Sequence, residues 1–153
     1  MNTRARRRTL AMNATVRRLR AVLRPRTAIS TAAAAITALR VERLLRTREL
    51  PETCRALGIS FLEDTARDEA WRLPAWAYTR SEDALRVVRR WPWGDTCLRR
   101  ALVIGHRIRS LEPTLVVGVQ GDRDGEVRAH AWLRIHGHDL DPESAAYAPF
   151  AFT

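Results

Sequence analysis

The sequence contains no lysine; all 27 basic residues are arginine. A bias that complete is what a GC-rich genome imposes, and little functional weight rests on it. Cysteine is nearly absent too. Cys54 and Cys97 stand at a spacing that matches neither a disulfide framework nor a zinc pattern. A reduced, cytoplasmic setting is the simpler expectation. There is no long apolar run. The least polar stretch, Thr27 to Leu39, covers 13 residues between Arg26 and Arg40 and is diluted by Thr27, Ser30, Thr31 and Thr37. It is too short to cross a bilayer, and the basic lead-in before it is longer than a secretory signal carries. The acid-free start shares the composition of organelle transit peptides, but nothing else in the chain points there. No phosphate-binding loop is visible, so no nucleotide is expected as a cofactor.

Acidic residues are missing from the whole first quarter. Residues 1–41 hold ten arginines and no acid, whereas residues 42–153 hold seventeen arginines and seventeen acids. The net charge of +10 therefore belongs to an N-terminal arm, taken as residues 1–47, and residues 48–153 form the expected domain. A chain of 153 residues is long enough to bury a core without staples. The arm suits an acidic partner or an anionic membrane surface. Nucleic acid is not expected, because no aromatic side chain precedes Phe61 to interleave with the arginines.

Hydrophobic spacing gives the elements. Residues 1–12 carry no pattern. Asn13 is placed to cap a short helix to Arg24, which Pro25 ends. A second helix is predicted from Ala28 to about Thr47, with a stripe of Ile29, Ala32, Ala33, Ile36, Leu39 and Val41 to Leu45 that must pack on the domain, a partner or a membrane surface, the domain being preferred. Pro51 opens a third helical piece, closed by Gly58. Phe61 to Thr79 resists assignment. Ser81, followed by Glu82 and Asp83, reads as the start of a helix running toward Arg90. Trp91 to Thr96 breaks it, and a new helix begins near Cys97 and ends near Ser110. Leu115 to Val119 alternate as a strand, residues 121–125 as a turn, and Val127 to Ile135 as the clearest strand of the chain. The order predicts an α+β fold, with a helical N-terminal half packed on a small antiparallel sheet.

Two of these elements carry candidate chemistry. Cys97 sits at a helix N-terminus, where free backbone N–H groups and the helix dipole favour a thiolate. Its own N–H is the natural first donor to an oxyanion. His130 lies on the face of its strand that also bears Trp132 and Arg134. If His136-Gly137 forms a two-residue type I′ turn, Ile135 pairs with His138, Arg134 with Asp139 and Trp132 with Asp141. Asp141 is then diagonal to His130, within side-chain reach. Asp139 lies one pair further off and opposite Arg134. The roles expected are Cys97 as nucleophile, His130 as base and Asp141 as the acid that orients the imidazole. Trp132 and Trp93 are candidates for contact with substrate. Asp95 is expected to cap the helix rather than face the thiol. Cys54 and His106 read as packing residues. His136 and His138 read as exposed turn residues rather than metal ligands.

Helix cysteine, strand histidine and strand aspartate follow one another in the order of transglutaminase-like and papain-like folds. More narrowly, Cys97-Leu98-Arg99-Arg100-Ala101-Leu102, then Leu115-Val116-Val117-Gly118-Val119, then His130-Ala131-Trp132-Leu133 resemble the lasso-peptide maturation peptidases. These are the peptidase halves of the bacterial B-type biosynthesis proteins, and the similarity covers about residues 80–150. The resemblance implies a transglutaminase/papain-like core and a cysteine endopeptidase that needs no cofactor and no metal. The implied substrate is a ribosomally made precursor peptide, which loses its leader. The implied partners are a separate leader-recognition protein, because a chain of this length leaves no room for a fused one, and an ATP-dependent lasso cyclase that uses the freed amine. Two alternatives stand beside this reading. One is another transglutaminase-like protease or acyltransferase. The other is a basic protein that binds nucleic acid or membrane without catalysis.

Overall fold

In a computed structural model, the structure describes residues 25–62, 67–121 and 127–150. The expectations for residues 1–24 and for most of the 121–125 turn lie outside them. Four helices are described: α1 (Pro25–Thr47), α2 (Leu50–Leu57), α3 (Ala75–Val88) and α4 (Cys97–Arg107). The strands are β1 (Ser60–Phe61), β2 (Thr114–Gly121), β3 (Val127–Ile135), β4 (His138–Asp139) and β5 (Ala148–Pro149). Short 3₁₀ turns cover Arg109–Leu111 and Pro142–Ala146. The α+β architecture expected from the sequence is the one observed.

The sheet runs β1-β2-β3-β4, with β5 pairing β2 beyond β1. It is mixed rather than antiparallel throughout: β1 runs parallel to β2, Ser60 opposite Thr114. Parallel pairing needs a long crossover, and α3 and α4 supply it. That strand, Ser60–Phe61, sits at the start of the stretch whose local pattern could not be assigned. The β3–β4 hairpin has the predicted register, Arg134 opposite Asp139 and Ile135 opposite His138. His136 and Gly137 both have positive φ, 47° and 74°, as a type I′ turn requires.

The core lies between the helices and one face of the sheet. Leu115, Ala131, Leu133 and Ile135 meet Leu102, Val103 and Val88 there. Gly105 lets α4 approach closely. A Cβ at that position would lie 2.7 Å from Ile59 Cδ1 and 3.2 Å from Leu133 Cδ2. The opposite face of β3 is not open, as the alternation suggested. His130 and Trp132 are buried, 8% and 2% exposed, beneath the segment that carries Tyr147 and β5. The Trp132 ring packs close to Gly118, where a Cβ would meet it at 2.8 Å.

Two helices depart from their sequence reading. Helix α3 starts at Ala75, behind Pro74, six residues before the expected Ser81. Ser81 is interior, and its hydroxyl donates to Ala77 O at 2.9 Å. Helix α1 packs on α3 and α4; the Val41 to Leu45 end of the predicted stripe faces inward, but before it another face is buried than predicted. Its buried residues are Ala34, Thr37, Ala38, Val41 and Glu42, whereas Ile29, Ile36 and Leu39 are 70%, 68% and 54% exposed. The small side chains let the helix axes come close, so size overrode hydrophobicity in choosing the inner face.

Candidate active site

Helix α4 starts on Thr96. Its extended backbone (φ −106°, ψ 151°) breaks the preceding loop, and its hydroxyl accepts the Arg99 N–H at 3.3 Å. Thr96, not the expected Asp95, is therefore the cap. Asp95 is taken up elsewhere. Its oxygens accept from Arg100 Nε at 2.5 Å and Nη2 at 2.7 Å. That pairing with Arg100 holds the Asp95 carboxyl below the usual carboxylate range, against slight desolvation. The charge two residues before Cys97 is thus answered by a guanidinium one turn beyond it. Cys97 is the first residue of α4 and is half-buried. Its backbone N–H belongs to the first turn, where helices leave donors without internal partners.

The histidine and its acid come from the other side of the site. His130 Nε2 lies 2.9 Å from Asp141 Oδ2. Asp141 Oδ1 accepts the Glu143 N–H at 2.9 Å, which makes this aspartate the cap of the following 3₁₀ turn. Asp139 does not reach His130. It accepts from Arg134 Nε at 2.8 Å and Nη2 at 3.3 Å, and from the Ser144 hydroxyl at 3.3 Å. Burial alone would raise Asp139, but the Arg134 guanidinium and the Ser144 hydroxyl outweigh it and hold the carboxyl low. The imidazole of His130 is held between rings, with Tyr147 at 4.8 Å and Trp132 at 5.9 Å.

Cys97 and Asp141 line one cleft of about 390 Å³ between α3, α4 and β3. Arg100, Tyr78, Trp132 and Leu140 are among its other walls. Arg100 links the two sides. Its proton is held first by Asp95, against partial burial, and then by the charges of Asp95, Cys97 and Asp141. His130, Asp141 and Glu143 also bring three ligand-type atoms within 4.8 Å of one another. His130 and both Asp141 oxygens are already engaged by hydrogen bonds.

The remaining candidates fall as follows. Trp132 lines the cleft. Trp93 stands apart from its lining residues, 5.6 Å from the Trp91 ring and with the Arg46 guanidinium 5.1 Å above it. Cys54 is fully buried, and burial pushes its thiol up to about 12. His106 Nδ1 lies 2.8 Å from Leu57 O, and burial lowers its pKa. His136 and His138 are more than exposed turn residues. Trp71 packs against both rings, and His138 Nε2 lies 2.6 Å from Asp68 O.

Sequence reasoning missed a buried clamp behind Cys97. Glu42 of α1 accepts from Arg99 Nε, from Arg99 Nη2 at 3.4 Å, and from the Trp91 indole N–H at 3.2 Å. Trp91 and Arg99 bracket the loop that delivers Cys97. The available signal was a lone acid within the apolar run from Val41 to Leu45, the first acid of the chain.

A family model for the transglutaminase-like superfamily matches residues 63–152. The chain belongs to that superfamily. No curated protein and no solved structure matches it. Members of the superfamily are commonly cysteine proteases or acyltransferases, so membership points to thiol-based acyl chemistry.

Proposed function

We propose that this protein is a cysteine endopeptidase that removes the leader from a ribosomally made lasso-type precursor peptide. Cys97 is its nucleophile, His130 its base and Asp141 the orienting acid. The observation that carries the proposal is the His130–Asp141 pair at 2.9 Å, its aspartate sharing a cleft with a thiol at a helix N-terminus. The Cys97, Gly118 and His130-Ala131-Trp132 blocks that resemble the lasso-peptide peptidases supply the substrate class.

The chemistry follows from the parts. Nε2 of His130 is committed to Asp141, which leaves Nδ1 to exchange a proton with the thiol. The thiolate attacks the scissile carbonyl, and the charge on the carbonyl oxygen meets the Cys97 N–H at the head of α4. The imidazolium, supported by Asp141, protonates the departing amine, which is the new N-terminus of the core peptide. Water, deprotonated by His130, then attacks the thioester and releases the leader with a free carboxylate and Cys97 as thiol. The precursor would arrive on a separate leader-recognition protein, and the freed amine would pass to an ATP-dependent cyclase.

The test is cleavage of the precursor, presented with its leader-binding protein, by wild type and by Cys97→Ala. Cleavage by wild type alone is expected, with one new amine and one new carboxylate. Equal cleavage by both removes the proposal. A leader recovered as an amide of an added amine identifies an acyltransferase of the same superfamily instead.

A further inference from the structure

Helix α1 commits one side to the core and leaves the other bare. Ile29, Ile36 and Leu39 are the exposed large residues of that side, and exposed Ala32 lies between them. Positions 29, 32, 36 and 39 follow helical three-and-four spacing, so they form one stripe along the helix. Arg43, also exposed, continues the line at four residues beyond Leu39. Directly before α1, residues 1–24 contain eight arginines and no acid. None of the stripe residues lines the cleft that holds Cys97.

The size of the stripe decides between occupants. Three such side chains offer roughly 400 Å² of apolar surface, about half of what each partner contributes to a standard protein interface. A bilayer surface sets a different requirement. It needs a few apolar side chains seated at headgroup level and basic charge close by, and neither signal alone holds a protein there. Each basic residue near an anionic surface strengthens binding by about fivefold, and arginine stems lie along apolar surface while their heads stay wet.

We propose that the Ile29–Ala32–Ile36–Leu39 face of α1, continued by Arg43, seats the protein on an anionic lipid surface. Helix α1 lies in the plane of the interface. Its Ala34, Ala38 and Val41 side stays packed on α3 and α4. Among the described residues no helix is long and apolar enough to span a membrane, so the attachment is peripheral and reversible.

The full-length protein is sedimented with vesicles of phosphatidylcholine, and with vesicles of phosphatidylcholine mixed with phosphatidylglycerol. Binding to the mixed vesicles is expected, with little to the neutral ones, and it should fall steeply as salt is added. The variant Ile29→Ser/Ile36→Ser/Leu39→Ser should bind at least about tenfold more weakly, given the transfer free energy of three such side chains. Val127→Ser, which removes an exposed apolar residue of the sheet, should bind as wild type does. Far-UV circular dichroism and the rate of Cys97 alkylation verify that the triple variant is folded. Cys97→Ala should bind vesicles unchanged, which separates this proposal from the peptidase reading. Unchanged binding by the triple variant overturns it, as does equal binding to neutral vesicles. A stripe that instead mediates self-association or holds an acidic protein, with no vesicle binding, overturns it in favour of a protein partner.

Discussion

Glu42→Ala tests whether the N-terminal helix holds the loop before Cys97 in place. Glu42 is 6% exposed and answers three donors, two on Arg99 and one on Trp91. Truncation leaves the Arg99 guanidinium in a site where its side chain is 22% exposed, with no acid beside it. Breaking a buried ion pair from one side costs about 3–5 kcal/mol. The partial exposure of Arg99 places the expected loss at the lower end, about 3 kcal/mol, with the indole N–H included. Taking a urea slope of about 2 kcal/mol/M, the midpoint should fall by about 1.5 M. Glu42→Gln keeps an acceptor oxygen and should fall in between. The second readout is the alkylation rate of Cys97 without denaturant, which should drop several-fold in Glu42→Ala, because Arg99 and Trp91 fix both ends of the loop. A midpoint within about 0.25 M of wild type, equivalent to about 0.5 kcal/mol, would show that α1 lies outside the cooperative unit. A normal midpoint shift with unchanged alkylation would confine the clamp to stability.

The two hairpin acids should separate cleanly. Asp141→Ala is expected to lower leader cleavage by about 100-fold or more, and Asp139→Ala by less than about tenfold; equal losses would refute the assignment of Asp141 to His130. In the pH dependence of unfolding, the depressed folded-state pKa of Asp139 contributes stability above its unfolded value of about 3.9. That contribution disappears as pH falls through the lower, folded value, so Asp139→Asn should flatten the acid limb below about pH 4. An acid limb identical to wild type would refute this. With its thiol pushed up to about 12, Cys54 should stay unlabelled by iodoacetamide at neutral pH while Cys97 reacts. One label on the native protein and two on the denatured one are expected by mass spectrometry, and two on the native protein would contradict the burial of Cys54.

What was legible in the sequence was local. His136-Gly137 sets a two-residue turn, and the turn sets the register that leaves Asp139 to Arg134; the strand ends there, short of the expected Asp141, which reaches His130 as the cap of the following 3₁₀ turn. Every step spans a dozen residues or fewer, and backbone geometry alone decides it. Helix α1 shows the opposite case. Hydrophobicity assigned Ile29, Ile36, Leu39 and Val41 to one stripe, yet only Val41 of these is buried, and Ala34, Ala38 and a paired Glu42 complete the inner face. Which face packs depends on the shape of α3 and α4, and nothing in residues 25–47 encodes that shape. The same holds for β1, which is two residues long and exists only because β2, more than fifty residues later, offers it an edge.

The site therefore combines two kinds of specification. The imidazole and its acid come from one hairpin, and their pairing depends on a turn and on the alternation of β3. The thiol's surroundings are assembled from distant parts. Thr96 caps the helix, Asp95 is neutralised by Arg100, and Glu42 grips Arg99 and Trp91 from α1. A thiol at a helix start gains its reactivity from unengaged N–H groups and nearby positive charge. Both depend on the loop from Pro92 to Thr96 holding one conformation, and that loop contains Gly94 at φ 93°. Perturbing α1 should thus alter Cys97 while leaving the His130–Asp141 pair intact, and perturbing the hairpin should do the reverse. The surroundings of Cys97 and the His130–Asp141 pair are thus fixed by separate structural causes, and Cys97 and Asp141 share the cleft between them.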